Sequence, residues 1–144
     1  MQVINIFKEM KMNAKHTIKL LLVDDESDII DVLREELIDK IRLDPNMIMQ
    51  TSSGNSAIQL LQSGKEFDLI ISDYSMNDGN GIRILNYLVI NNIRTKFIFY
   101  TSTAHFELPQ ASDHLLAIFK KSDIVLLIKC VQNFILSNFN ASRF

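Results

Sequence analysis

From Thr17 onward, short apolar runs alternate with longer stretches in which apolar residues recur every three or four positions. Ile18 to Val23 is nearly continuous in apolar character and stops at Asp24, Asp25 and Glu26, as a strand buried on both faces does where charge begins. Ile30, Leu33, Leu37 and Ile41 then repeat at helical spacing, with Ser27 placed to cap the helix and Arg34, Glu35 and Asp39 off the stripe. The alternation recurs. Met47 to Thr51 reads as a second strand, and Ser53-Gly54 opens a helix through Ala57, Ile58, Leu60 and Leu61. Phe67 to Ser72 is a third strand ending at Asp73, followed by a polar loop and a helix carrying Ile82, Leu85, Leu88 and Val89.

A fourth strand, Lys96 to Tyr100, ends at Thr101, and a fifth, Leu115 to Phe119, ends at Lys120. Between them Pro109 and sparse apolar positions leave room only for a short or irregular helix. Ile124, Leu127, Ile128, Val131, Phe134 and Ile135 form the clearest helical stripe, with Asp123 as its N-cap. Five strands alternating with five helices predict a doubly wound α/β fold, a five-stranded parallel sheet covered on both faces, because parallel neighbours need crossover connections. Ligands of such sheets sit beyond the carboxyl ends of the strands, where strand order reverses.

The 144 residues suffice for one core, and 47% hydrophobic content with four Gly and two Pro excludes a disordered or low-complexity chain. Fifteen basic against seventeen acidic residues give a formal charge of −2, too balanced for the basic surface that nucleic-acid binding needs. No apolar run approaches the roughly 20 residues of a membrane span. A lone cysteine, Cys130, cannot form an internal disulfide, so a cytoplasmic, soluble protein is expected. Residues 1–16 lack the features of a secretory signal and read as an arm outside the core. Val3, Phe7, Met10 and Ala14 are spaced 4-3-4, so an amphipathic helix and a disordered leader both remain open, and the arm is a candidate homodimerisation element.

The residues at the strand ends carry the chemistry. Asp24, Asp25 and Asp73, with Thr101 and Lys120, converge on one edge of the sheet in this fold although they are far apart in sequence. Three clustered carboxylates repel one another unless a cation compensates, and oxygen donors without His or Cys suit Mg²⁺. An ammonium and a hydroxyl complete a phosphoryl-accepting site with Asp73 as nucleophile. Taken singly, each has a plainer reading: the acidic run as a helix N-terminus, Asp73 as a loop initiator, Lys120 as a solvated charge. Their joint placement favours the functional one. Gly79-Asn80-Gly81 lacks the Lys and Ser/Thr of a nucleotide loop and reads as turn chemistry, while His16, His105 and His114 stand without companions at ligand spacing.

LLVDDE at Leu21 to Glu26, ISDYSMNDGNG at Ile71 to Gly81, FIFYTS at Phe97 to Ser102 and FKKSDI at Phe119 to Ile124 resemble, in order, the receiver domain of bacterial two-component response regulators. The resemblance runs from about Thr17 to Ser137, giving an arm at 1–16, a receiver domain at 17–137 and a tail at 138–144. It implies a flavodoxin-like fold, a single-domain regulator like those of chemotaxis, and Mg²⁺-dependent phosphorylation by a histidine kinase or phosphotransfer protein. Carried over by position, Asp73 resembles the phosphoacceptor, Asp25 the direct metal ligand, and Asp24 the holder of metal-bound water. The main-chain carbonyl of Ser75 matches the third protein ligand, Thr101 the switch hydroxyl and Lys120 the paired lysine. Aligning Asp123-Ile124 and Leu127-Ile128 with the start of the family's last helix selects Lys120 over Lys121, and strand alternation agrees.

The sequence departs from the family pattern in three places. Asn77 stands where a proline is common, Ala117 replaces the aromatic three residues before the lysine, leaving Phe119 as the nearest ring, and the segment after Thr101 is short. Only eight residues follow Ile135-Leu136, which leaves no room for an output domain, so the expected signal is phosphorylation-dependent binding of a downstream protein. The expected phosphoryl transfer is self-catalysed acceptance and slow hydrolysis rather than enzymatic turnover. The rivals are a phosphorylation-independent interaction module and an aspartate-nucleophile phosphatase of the haloacid dehalogenase type, which would want a second acid where Ser75 stands.

Overall fold

The structure is a computed structural model that describes residues 18–104, 107–108 and 113–143. Among these are five strands, β1 (Leu20–Val23), β2 (Ile48–Thr51), β3 (Leu69–Ser72), β4 (Lys96–Thr101) and β5 (Leu115–Lys120), and four α-helices, α1 (Ser27–Ile41), α2 (Gly54–Gln62), α3 (Gly81–Ile90) and α4 (Ile124–Arg143). All neighbouring strands pair in parallel in the order β2-β1-β3-β4-β5. Strand order therefore reverses between β1 and β3, and the crevice beyond their carboxyl ends is where a ligand belongs.

Period-2 alternation sorts the strand residues into two cores. Leu20, Leu22, Leu69, Ile71, Ile98 and Tyr100 face Ile30, Leu33, Leu37 and Ile41 of α1 and Leu127, Val131 and Ile135 of α4. Leu21, Val23, Ile70, Phe97 and Phe99 face Ala57 and Leu61 of α2 and Ile84, Leu85 and Leu88 of α3. Every residue of β1 and β3 is buried, as expected of central parallel strands covered on both sides. Each apolar side chain among them contributes roughly 1.5–3 kcal/mol of burial, so the strand ends that carry the polar residues are held by the two cores.

The ends of the elements refine the sequence reading. Ser53-Gly54 opens α2 as expected, and Ser53 caps it, its hydroxyl accepting from the Ser56 N–H at 3.0 Å. Ser27 does not cap α1. It is the first helical residue, Glu26 occupies the cap position without a side-chain bond, and the Glu26 N–H goes instead to Asp24 Oδ1 at 2.9 Å. The Asp24 carboxylate thus makes an Asx turn at the entry to α1.

The short helix expected between β4 and β5 is not formed at 102–104, 107–108 or 113–114, and the rest of that segment lies outside the described residues. The outer strand β5 leaves Leu116 and Ile118 38% and 36% exposed. Helix α4 continues past Ser137 to Arg143, so residues expected as a tail are helical. The arm at 1–16, with its candidate dimerisation role, lies outside the described residues. No helix among the described residues is long and apolar enough to cross a membrane.

Candidate functional site at the carboxyl ends of the strands

Asp73 follows β3 directly and is buried, with its N–H held by the Val23 carbonyl at 2.9 Å, which ties it to the end of β1. Its Oδ1 accepts from the Thr101 hydroxyl at 2.6 Å and from the Tyr74 N–H at 2.7 Å. Its Oδ2 accepts from the Lys121 ammonium at 2.9 Å. Thr101 ends β4 and is itself buried, so the hydroxyl expected to turn toward a phosphoryl group already donates to the carboxylate. The Thr101 oxygen also accepts from the Thr103 N–H at 3.1 Å, which orients its hydrogen toward Asp73.

The ammonium of the site belongs to Lys121, and the expectation of Lys120 is corrected. Lys120 ends β5 in register with Thr101, but its side chain is exposed. Phe119 packs on the core formed with α1 and α4, so its neighbour Lys120 points to the other side of the strand together with Ile118. Lys121 is one residue past the strand, where its N–H still bonds the Thr101 carbonyl at 3.1 Å and keeps the backbone level with the sheet edge. From there its ammonium reaches Asp73 Oδ2, Asp24 Oδ2 at 3.0 Å and Glu26 Oε1 at 3.5 Å. Ile118 and Lys120 share one side of β5 as expected, but the expected direction of Lys120 toward the site is not found, and the lysine that serves the site, Lys121, stands past the strand. The position three residues before this lysine is then Ile118, not Ala117, and it too carries no aromatic ring.

Asp24 is buried and Asp25 exposed. Burial pushes the Asp24 carboxyl above its ordinary value and the Asp73 charge adds to this, against the lowering effects of the Glu26 N–H and Lys121. Burial alone would lower the Lys121 pKa, but its hydrogen bonds to Asp73 and Asp24, and their charges, hold it above the usual lysine value. The ammonium is therefore firmly protonated and offsets part of the carboxylate repulsion.

Asp24, Asp25, Glu26 and Asp73 offer carboxylate oxygens that all lie within 4.8 Å of one another. These are hard oxygen donors with no nitrogen or sulfur among them, a set that fits Mg²⁺. Glu26 was not singled out as a site residue from sequence. It enters through the local turn in which Asp24 holds its N–H.

The loop after Asp73 is pinned at several points. Ser75 is exposed and its hydroxyl lies 3.0 Å from that of Thr103. The Asn77 N–H donates to Asp25 Oδ2 at 3.2 Å, a bond that a proline at this position has no hydrogen to make. Asp78 accepts from the Ser53 hydroxyl at 3.0 Å and the Asn55 amide at 2.8 Å, joining the loop to the start of α2. Gly79 takes φ +91°, in keeping with the expected turn. Gly81 does more than turn the chain: a Cβ there would collide with the Asp73 carbonyl and lie 3.0 Å from both Phe99 Cε1 and Ser72 Oγ. Its missing side chain lets α3 start directly beneath the phosphoacceptor candidate.

A doubly wound parallel sheet with an acidic cluster, a hydroxyl and an ammonium at its switch point defines the class. The chain belongs to the response regulator receiver domain family, which matches residues 20–129. Among solved structures it is similar to the response regulator TrrA from Thermotoga maritima in complex with Mg(2+)-BeF. Identity there is 26%, with 79% of this chain and 96% of that one covered and a TM-score of 0.66. The receiver domain of the Francisella response regulator 1452 is also 26% identical, covering 85% and 98% with a TM-score of 0.62. The signal receiver domain of an HD domain-containing protein from Pseudomonas fluorescens Pf-5 shares the fold at 22% identity, covering 85% and 96% with a TM-score of 0.68. Comparison with curated proteins returns no match.

Proposed function

We propose that this receiver domain accepts a phosphoryl group on Asp73 from a histidine kinase or phosphotransfer protein, with Mg²⁺, and signals by changing its affinity for a downstream protein. The observation that carries this reading is the division of donors on the Asp73 carboxylate. Among the described residues, Oδ1 is occupied by Thr101 and Tyr74, while Oδ2 receives only Lys121 and keeps a lone pair. Oδ2 is thus the oxygen equipped to attack.

In the transfer a carboxylate oxygen of Asp73 bonds to phosphorus as the phosphorus–nitrogen bond of a phosphohistidine breaks, and the imidazole nitrogen leaves with the electron pair and takes up a proton. Lys121 stabilises charge on the transferring group as a fixed ammonium, and Thr101 donates a hydrogen bond to one of its oxygens. Asp24, Asp25 and Asp73, with the Ser75 carbonyl, would hold Mg²⁺, which when bound supplies neutralisation of carboxylate and phosphoryl charge. Water later hydrolyses the acyl phosphate, so the domain modifies itself and turns over no separate substrate. A cytoplasmic location follows from the need for a phosphorylated protein donor.

The test is incubation with acetyl phosphate and Mg²⁺ followed by intact mass measurement. The expected result is addition of one phosphoryl group, lost with chelator and in Asp73→Asn. Absence of the adduct would favour a phosphorylation-independent interaction module, and sustained hydrolysis of phosphate esters would indicate a phosphatase.

A further inference from the structure

Tyr100 is a buried polar residue next to the site that neither the family pattern nor the proposed chemistry uses. It precedes Thr101 in β4, is only 5% exposed, and packs its ring in the core between the sheet, α1 and α4. A buried tyrosine needs a partner for its hydroxyl. Here that partner is the main-chain carbonyl of Lys121, which accepts from Tyr100 Oη at 2.9 Å.

The two main-chain polar groups of Lys121 are therefore both held by β4. Its N–H bonds the Thr101 carbonyl at 3.1 Å and its carbonyl takes the Tyr100 hydroxyl. This matters because Lys121 lies past the end of β5, an outer strand of the sheet, in the turn leading to α4. Among the described residues its peptide has no second strand to fix it. A lysine side chain has a long flexible stem, and its ammonium meets Asp73 and Asp24 reproducibly only if the stem starts from a fixed point.

We infer that Tyr100 is a positioning residue, whose hydroxyl fixes the Lys121 peptide so that the ammonium is aimed at the Asp73 carboxylate. Burial raises the Tyr100 pKa above its ordinary value, with Asp24 and Asp123 adding to the effect and Lys121 opposing it, so the hydroxyl keeps the proton it donates. Tyr100 touches no reacting atom and acts through Lys121. The inference rests on the proposed phosphoryl chemistry for its functional meaning, but the placement of the ammonium is measurable without it.

The experiment uses Tyr100→Phe, which removes the hydroxyl and leaves the ring. In the first arm the metal-free full chain is labelled briefly with limiting acetylating reagent, and each lysine is quantified by peptide mass spectrometry. Lys121 is expected to label about three- to tenfold faster in the variant, the change expected from loss of one hydrogen bond. Lys120, exposed on the neighbouring position, is the internal control and keeps its rate. A global loosening of the fold would accelerate other lysines as well, and an unchanged Lys121 rate overturns the inference.

In the second arm Mg²⁺ alone and then beryllofluoride with Mg²⁺ are titrated by calorimetry. Mg²⁺ affinity should stay within about twofold of the parent, beryllofluoride should bind about three- to tenfold more weakly, and Y100F should add no further loss on a Lys121→Ala background. The same loss in both backgrounds would refute action through Lys121. If the parent itself binds no beryllofluoride, the proposed function fails, while the labelling arm still decides whether Tyr100 places the ammonium.

Discussion

Replacing Lys121 by alanine, beside the same change at Lys120, tests the geometry on which the site depends. The Lys121 ammonium lies 2.9 Å from Asp73 Oδ2 and 3.0 Å from Asp24 Oδ2, and its side chain is 12% exposed against 6% and 5% for the two acids. At about 3 Å and an effective dielectric of about 20, each contact carries a gross attraction of roughly 5 kcal/mol, which desolvation and the repulsion between the two acids largely offset. What decides the variant is the state left behind: two buried carboxylates facing one another without a cation. Breaking a buried pair in this way costs about 3–5 kcal/mol, and the exposed Glu26 edge of the cluster places the expectation near ~3 kcal/mol.

For a chain of this size that is a fall of roughly 6–12 °C in Tm. Lys120→Ala, on an exposed side chain, should stay within ~0.5 kcal/mol of the parent. Urea denaturation at pH 7 with chelator gives both numbers. Adding Mg²⁺ should restore part of the Lys121→Ala loss, because a divalent cation neutralises the same carboxylates. Equal losses in the two variants, or a larger one at Lys120, would refute the assignment.

Three further outcomes follow from the same coordinates. Gly81→Ala should cost at least ~2 kcal/mol in urea denaturation, because the added carbon meets the Asp73 carbonyl backbone, and the accompanying shift of Asp73 should weaken binding of beryllofluoride with Mg²⁺. Asp24→Asn should raise the Tm of the metal-free protein at neutral pH. The folded-state pKa of Asp24 lies above 3.8, chiefly through burial, so its stabilising contribution is full below that value and lost as pH rises through the raised one; the Asn variant should show a shallower fall over that window. Burial also raises the Cys130 thiol, so a thiol reagent at pH 7.5 should modify it slowly in the folded chain and rapidly in urea.

The pattern of apolar positions was sufficient for the sheet. Runs such as Leu20–Val23 and Leu69–Ile71 are apolar because both faces of a central parallel strand are covered, and they stop at the polar residues of the site, Asp24 after β1 and Ser72-Asp73 at the end of β3. That local rule and the order of four motifs suffice to place Asp24, Asp25, Asp73 and Thr101 at one edge. These residues sit on or beside central strands, where backbone ladders fix direction.

The tertiary structure alone decided what lies beyond the ladders. Two adjacent lysines have the same chemistry, and the choice between them depends on which way the chain leaves β5, set by Phe119 in the core and by the bonds of Thr101 and Tyr100 to Lys121. The Asn77 N–H on Asp25, the Asp78 clamp to α2 and the close approach of Gly81 to Asp73 are likewise contacts between segments distant in sequence or in direction of travel. Periodicity reports which face of an element is buried. It carries no information on the three-dimensional path of a turn, and here the turns after β3 and β5 hold the groups that surround the phosphoacceptor candidate.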